Sequence, residues 1–252
     1  MSSTETPTRT ALVTGGSGGI GRAVAERLAR DGMAVGVHYA GNEARAKEVV
    51  AAIEASSSPT RPGRAIAVGG DVADPEQMAA AFDEVEAAFG GIDVVVNTAG
   101  VMVLAPIAEL DLDDLDRMHR TNIRGTVVVA QQAARRVRAG GAIVAFSTSV
   151  TRLSPPTYAG YAASKGAVEA LVPVLAREMR GRDVTVNAVA PGPTATPLFL
   201  EGKSEEQIAG LASAPPLERL GQPEDIAEAV AFLAGPARWV NGQTLFANGG
   251  LA

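Results

Sequence analysis

Short apolar runs alternate with longer amphipathic stretches along nearly the whole chain, and this alternation constrains the fold more than any other feature. The apolar runs fall at residues 11–13, 33–37, 65–68, 92–96, 142–146, 184–189 and 244–246. Helical patterns lie between them at 22–30, 43–55, from Asp74 onward, 111–119, 122–138, 157–179 and 223–233. Strands joined through helices pair in parallel, because a parallel connection needs a long crossover whereas an antiparallel one can use a tight turn. The run at 92–96 is apolar apart from Asp93, as suits a strand buried on both faces. Asp74-Pro75-Glu76 reads as a helix start, with a capping carboxylate and proline at the first helical position. The expected fold is a doubly wound α/β domain over residues 10–252, a parallel sheet of about seven strands flanked by helices, after a polar extension at 1–9. The Pro-rich stretch 191–216 interrupts the alternation and reads as a lid, about 193–216, over a site.

Composition narrows the chemistry. With 28 acidic against 22 basic side chains the chain carries a net charge of -6, and it has no basic cluster of the kind that tracks a nucleic acid backbone. It has no cysteine, which excludes disulfides, thiolate nucleophiles and thiolate metal sites, and it lacks His/Asp/Glu clusters at ligand spacing, so no metal is expected. The stretch MSSTETPTRT is polar and no 18-residue apolar run occurs, which predicts a cytoplasmic protein with no membrane partner. Only two His, three Tyr and three Lys (47, 165, 203) are available for proton chemistry. Gly is in surplus at 28 of 252 residues, so turns where backbone closely approaches something are to be looked for.

One such turn is Thr14-Gly15-Gly16-Ser17-Gly18-Gly19-Ile20-Gly21, between the first strand and the first helix. A following helix offers unpaired N-H groups and its positive dipole end to a pyrophosphate, and missing Cβ atoms let the ligand approach. Two rival readings share the letters. The phosphate loop of nucleoside triphosphatases fails because Arg22 stands at the required Lys and Ala23 at the required hydroxyl. The nucleophile elbow Gly15-x-Ser17-x-Gly19 requires an acid and then a His further along, and His119 lies in mid-chain ahead of three predicted strands.

Further motifs follow in order. Asn97-Thr98-Ala99-Gly100 follows the fourth strand, Tyr161-Ala-Ala-Ser-Lys165 lies in the longest predicted helix, and Pro191-Gly192-x-x-x-Thr196 follows the sixth strand. With the turn T-G-x-x-x-G-x-G, these resemble the short-chain dehydrogenase/reductase family, including its 3-oxoacyl-carrier-protein-reductase-like members, from about residue 9 to the end. The resemblance implies a Rossmann-type fold and hydride transfer between a nicotinamide cofactor and the carbonyl or secondary alcohol of a small, partly apolar substrate. A non-catalytic dinucleotide-binding sensor or scaffold is the alternative.

Tyr161 and Lys165 are four apart on a predicted helix and so share a face. A cation there would stabilise a phenolate, so the Tyr161 pKa is expected to fall toward working pH. The resemblance makes Tyr161 the general acid/base and gives Lys165 the nicotinamide ribose hydroxyls as well. It makes Asn122 the support of a water in the proton path, against a helix-capping reading of the same residue. Family spacing puts the carbonyl-binding hydroxyl at Thr148, flanked by Ser147 and Ser149, with Ser149 a serious alternative. Tyr158 reads as a pocket wall.

The resemblance also assigns cofactor contacts to Gly15, Ser17, Gly19, Ile20 and Gly21 in the turn and to Tyr39 and Asn42 after the second strand. Asp71 and Val72 follow the third strand, Asn97, Ala99 and Gly100 the fourth, and Pro191, Gly192, Thr194 and Thr196 the sixth, with Tyr161 and Lys165 completing the set. Tyr39 occupies the position where an NAD enzyme usually carries a carboxylate, and without that repulsion NADP is favoured over NAD. A homotetramer, or a homodimer, built from the long helices after the fourth and fifth strands is implied in the same way.

Overall fold

The computed structural model describes residues 8–56 and 63–252; residues 1–7 of the polar extension lie outside the described residues. Seven parallel strands form one sheet in the order β3-β2-β1-β4-β5-β6-β7. The strands are β1 (Thr10–Thr14), β2 (Ala34–Tyr39), β3 (Ala65–Gly69), β4 (Ile92–Asn97), β5 (Val137–Phe146), β6 (Thr185–Pro191) and β7 (Thr244–Ala247). Order reverses between β1 and β4, where Thr14 pairs with Asn97 at the carboxyl ends of both strands. A crevice opens at such a switch point, and ligands of open α/β sheets bind there.

Strand periodicity divides the core in two. Ala11, Val13, Val94, Val96, Val144 and Val189 face one layer, built on α1 (Gly19–Arg30), α2 (Glu43–Ala55) and α10 (Pro223–Ala234). Their neighbours Leu12, Val95, Ile143 and Ala188 face the other, built on α3 (Pro75–Phe89), α5 (Gly125–Arg136) and α7 (Ala159–Glu178). Alternate residues point to opposite faces, so a central strand covered on both sides must be apolar throughout, as β4 nearly is. Each fully buried aliphatic side chain contributes about 1.5–3 kcal/mol. Asp74 caps α3 by accepting from the Glu76 and Gln77 amides, with Pro75 at the first helical position.

Three local expectations change. The two helices expected at 111–119 and 122–138 are one continuous run: α4 (Leu112–Met118), a π-helical turn (His119–Arg124) and α5. A π turn inserts one residue without breaking the helix, which sequence periodicity reads as a gap. The run ends at Arg136, two residues early, because Arg138 is drawn to β4, where its Nε donates to Asp93 Oδ1 at 2.9 Å. The Pro-rich stretch holds two short helices, α8 (Pro197–Leu200) and α9 (Glu205–Ser213), the second started by a Ser204/Gln207 capping box; α6 (Val150–Leu153) follows β5.

Candidate active site

At the switch point, the Thr14 hydroxyl donates to Asn97 Oδ1 at 2.6 Å and Asn97 Nδ2 donates to the Thr126 hydroxyl at 2.9 Å. The Asn97 side chain therefore ties β1 to β4 and α5. The Thr98 hydroxyl donates to the Thr14 carbonyl at 2.6 Å. The glycine turn is packed against this junction. A Cβ on Gly21 would lie 2.2 Å from the Gly15 carbonyl oxygen, and one on Gly15, at φ +66°, 3.1 Å from Ala99 backbone. The Gly21 position clashes outright with backbone, and the Gly15 position is tight and at a positive φ that a side chain rarely adopts. Unlike α2 and α3, which Asn42 and Asp74 cap, α1 has no side-chain cap, so its first N-H groups face the crevice unpaired. Uncapped amides on a turn whose Gly15, Gly16 and Gly21 leave little or no room for a Cβ fit a pyrophosphate.

Beneath the turn, the Gly16 amide donates to the His38 carbonyl at 2.9 Å, and burial pushes the His38 imidazole down to about 4, so it stays neutral against Gly15. Tyr39 lies over Gly69 at the end of β2, and no carboxylate occupies residues 38–42. Asn42 Oδ1 accepts from the Arg45 amide, which engages its side chain as the cap of α2. Asp71 accepts from the Ala73 amide at 2.8 Å and pairs with Arg120, leaving Val72 buried behind it.

A cavity of about 330 Å³ opens beside the turn. Ile20 and Gly100 form one end, and Ser147, Thr148 and Ser149 line it from the end of β5. Tyr158, Tyr161 and Lys165 line it from the N-cap and first turns of α7, and Leu198, Phe199 and Leu211 line it from α8 and α9. The three hydroxyls after β5 separate clearly. Ser147 Oγ donates to Glu169 Oε1 at 2.5 Å, and Ser149 Oγ donates to the Ala190 carbonyl at 3.3 Å and accepts from Asn248. The Thr148 hydroxyl accepts from the Val150 amide at 3.3 Å, lines the cavity together with the Tyr161 phenol, and holds that phenol's pKa down.

Thr151 Oγ1 also donates to Glu169 Oε1 at 2.8 Å, so one carboxylate holds the loop on both sides of Thr148. Sequence reasoning missed Glu169. The signal was its position four residues after Lys165 and eight after Tyr161, on the same face of one helix.

The expected depression of Tyr161 is overturned in this geometry. Burial pushes its phenol up to about 12; Tyr158 adds to the rise and Thr148 opposes it. The Lys165 ammonium, pushed down by burial to about 8, donates to the Phe146 carbonyl at 2.9 Å and stands 5.9 Å from the Tyr161 ring centre. The i,i+4 spacing sets the shared face correctly, but the buried Lys turns its head to a backbone oxygen.

Asn122 is not a helix cap. Buried in the π turn, its amide accepts from the Val101 N-H and donates to the Val101 carbonyl, both at 2.9 Å, and it also donates to Ser164 Oγ. A Cβ on Gly100 would come within 3.2 Å of Asn122 Oδ1 and 3.4 Å of Lys165 Nζ, so Gly100 lies between these two residues. At the end of β6, Pro191 and the following Gly192 line the cavity, the Thr194 hydroxyl donates to the Gly192 carbonyl at 2.9 Å, and Thr196 caps α8. Among the described residues no group of three or more His, Cys, Asp or Glu could hold a metal, and no helix is long and apolar enough to cross a membrane.

Comparison with known proteins agrees with this architecture. A family model described as Enoyl-(Acyl carrier protein) reductase matches residues 15–252. A short-chain type dehydrogenase/reductase of Picea abies is 43% identical over 248 residues, covering 96% of this chain and 92% of the relative. An Arabidopsis thaliana relative, an NADPH-dependent aldehyde reductase-like protein, chloroplastic, is 39% identical over 254 residues, covering 96% of this chain and 93% of the relative. The crystal structure of a short-chain dehydrogenase from Burkholderia cenocepacia J2315 in complex with NADP superposes with a TM-score of 0.89 at 40% identity, covering 97% of this chain and 98% of that one. The crevice at the β1/β4 switch, the glycine turn and the Tyr161/Lys165 pair thus belong to a member of the short-chain dehydrogenase/reductase family.

Proposed function

We propose that this protein is an NADP-dependent oxidoreductase acting on the carbonyl or secondary alcohol of a small, partly apolar substrate, with Tyr161 as its proton donor. The observation that carries the reading is one apolar cavity lined by the Tyr161 phenol and the Thr148 hydroxyl, with a buried Lys165 one turn away. Relatives include an NADPH-dependent aldehyde reductase-like protein and a structure in complex with NADP. When bound, NADP(H) supplies the hydride donor or acceptor for the carbonyl carbon.

The chain's own residues do the rest. The uncapped start of α1, with Gly15, Ser17, Gly19, Ile20 and Gly21, would hold the pyrophosphate. Tyr39 and Asn42 would leave room for a 2′-phosphate, and Asp71, Ala99, Gly100, Gly192 and Thr196 would line the remaining length. Thr148 orients the carbonyl oxygen, and Tyr161 donates its proton to it. A phenol held near 12 keeps that proton at neutral pH, which suits reduction. Lys165 and Asn122, brought together at Gly100, would return the proton from solvent. Residues 193–216 act as a lid, with Phe199 held by Lys203, whose Nζ donates to the Phe199 carbonyl at 2.5 Å.

Two further statements belong to this reading. A homotetramer is supported by two apolar faces on opposite sides of the sheet: Val127 with Val174, and Phe232 with Trp239. A cytoplasmic location would be tested by fractionating cells that express the tagged protein. For the chemistry, Tyr161→Phe is expected to abolish NADPH-dependent carbonyl reduction, measured by loss of NADPH absorbance, with NADPH binding nearly intact. An active variant refutes the mechanism.

A further inference from the structure

Polar side chains that line an apolar cavity announce what they need by whether they already have partners. In this cavity nearly all do. Thr98, Ser147, Ser149 and Thr194 donate within the protein, the Thr148 hydroxyl accepts from the Val150 amide and acts on the Tyr161 phenol, Thr196 caps α8, and Lys165 donates to the Phe146 carbonyl. The exception among the described lining residues is Tyr158. It sits at the start of α7, three residues before Tyr161, and its ring forms part of the cavity wall. Its backbone carbonyl accepts from the Ala162 amide, but its hydroxyl makes no hydrogen bond to any described residue. It is close enough to Tyr161 to raise that phenol's pKa.

A half-exposed phenol can be satisfied by water while the cavity is open. An apolar substrate beneath the lid displaces that water, and an unpaired hydroxyl then costs free energy unless the substrate supplies an acceptor. The surrounding wall supplies none: Met102, Leu153, Pro155 and Leu198 offer only apolar side chains.

Building on the carbonyl-reduction reading above, we propose that Tyr158 is a specificity-determining residue whose hydroxyl donates to a second oxygen of the substrate, so that the site prefers uncharged apolar carbonyl compounds bearing a neighbouring carbonyl or ether oxygen. The reacting oxygen takes the Thr148 and Tyr161 hydroxyls; the second oxygen, two or three bonds away, takes Tyr158. A monocarbonyl of the same skeleton leaves the Tyr158 hydroxyl unpaired. No bond to Tyr158 forms or breaks, and its proton stays in place.

Benzil and deoxybenzoin test this, since they share a carbon skeleton and differ by one carbonyl oxygen. In wild type and Tyr158→Phe, kcat/KM with NADPH is measured for both ketones, and the Kd of each is measured by calorimetry in the presence of NADP+. The substitution is expected to lower the benzil-to-deoxybenzoin ratio about tenfold in both measurements, the size of one good hydrogen bond. Ratios within about twofold of wild type overturn the proposal, leaving Tyr158 as a wall. The binding measurement needs no turnover. A wild type that binds both ketones and reduces neither therefore overturns the carbonyl-reduction reading, while the Kd ratio still decides the role of Tyr158. A wild type that binds neither overturns both.

Discussion

The Lys165 ammonium is buried beneath the cavity with the Phe146 carbonyl as its hydrogen-bond acceptor, and burial pushes it from an ordinary 10.5 down to about 8. An unfolded chain keeps this proton up to 10.5, whereas the folded protein releases it near 8. Between those values the unfolded state binds more protons, so this group's contribution makes stability rise with pH; below 8 both states are protonated and the burial penalty is full. Lys165→Met removes a buried charge while orphaning one carbonyl. It is expected to stabilise the protein at neutral pH by roughly 1–3 kcal/mol while abolishing reduction. Thermal melts across the pH range check this: the advantage should shrink between pH 8 and 10.5. A variant less stable than wild type at neutral pH would show that the Phe146 bond outweighs the desolvation.

Helix α7 acts as one rigid element, carrying Tyr161, Lys165 and Glu169 on successive turns of one face. Its third member touches no part of the cavity's reacting end, yet holds Ser147 and Thr151, which bracket Thr148. We therefore treat Glu169 as a positioning residue. Glu169→Ala is expected to lower kcat about tenfold with little change in NADPH affinity, because displacing an orienting hydroxyl by about 1 Å costs mainly the chemical step. Glu169→Gln keeps an acceptor oxygen and should restore most of the loss. Equal loss in both variants would mean that the carboxylate's charge matters, and a loss confined to KM would remove the positioning role. The element scale also explains the missed boundaries. Apolar periodicity marks the interior of a helix well, but the π turn at His119–Arg124 and the early stop at Arg136 are decided by Asn122 bonding Val101 and Arg138 bonding Asp93.

Across the whole molecule, the sheet's two layers leave apolar side chains on both outer surfaces. Trp239 is 100% exposed and Phe232 47% exposed on the α10 side, while Val174 is 53% exposed on the α7 side. Two isologous faces on opposite sides of a sheet, related by perpendicular two-fold axes, would generate a closed tetramer. Light scattering is expected to report four copies. Trp239 is the only tryptophan in the sequence, so its emission should shift to the red as the assembly is diluted apart. A monomer at all concentrations, with emission already red, would overturn the assembly.

Some of this molecule is written in covalent spacing. Strand and helix periods fix the alternation that makes a parallel sheet, the turn from Thr14 to Gly21 fixes where backbone must come close, and four residues fix Tyr161 and Lys165 on one face. What tertiary structure decided is which partner each polar group takes and how deeply it is buried. Thr148 rather than Ser149 faces Tyr161, because Ser149 is claimed by Ala190 and Asn248 from β6 and beyond β7. Tyr161 is raised rather than lowered because desolvation outweighs a lysine that has turned to Phe146. Those choices pit groups distant in sequence against one another in a low-dielectric interior, and local pattern carries no record of that competition.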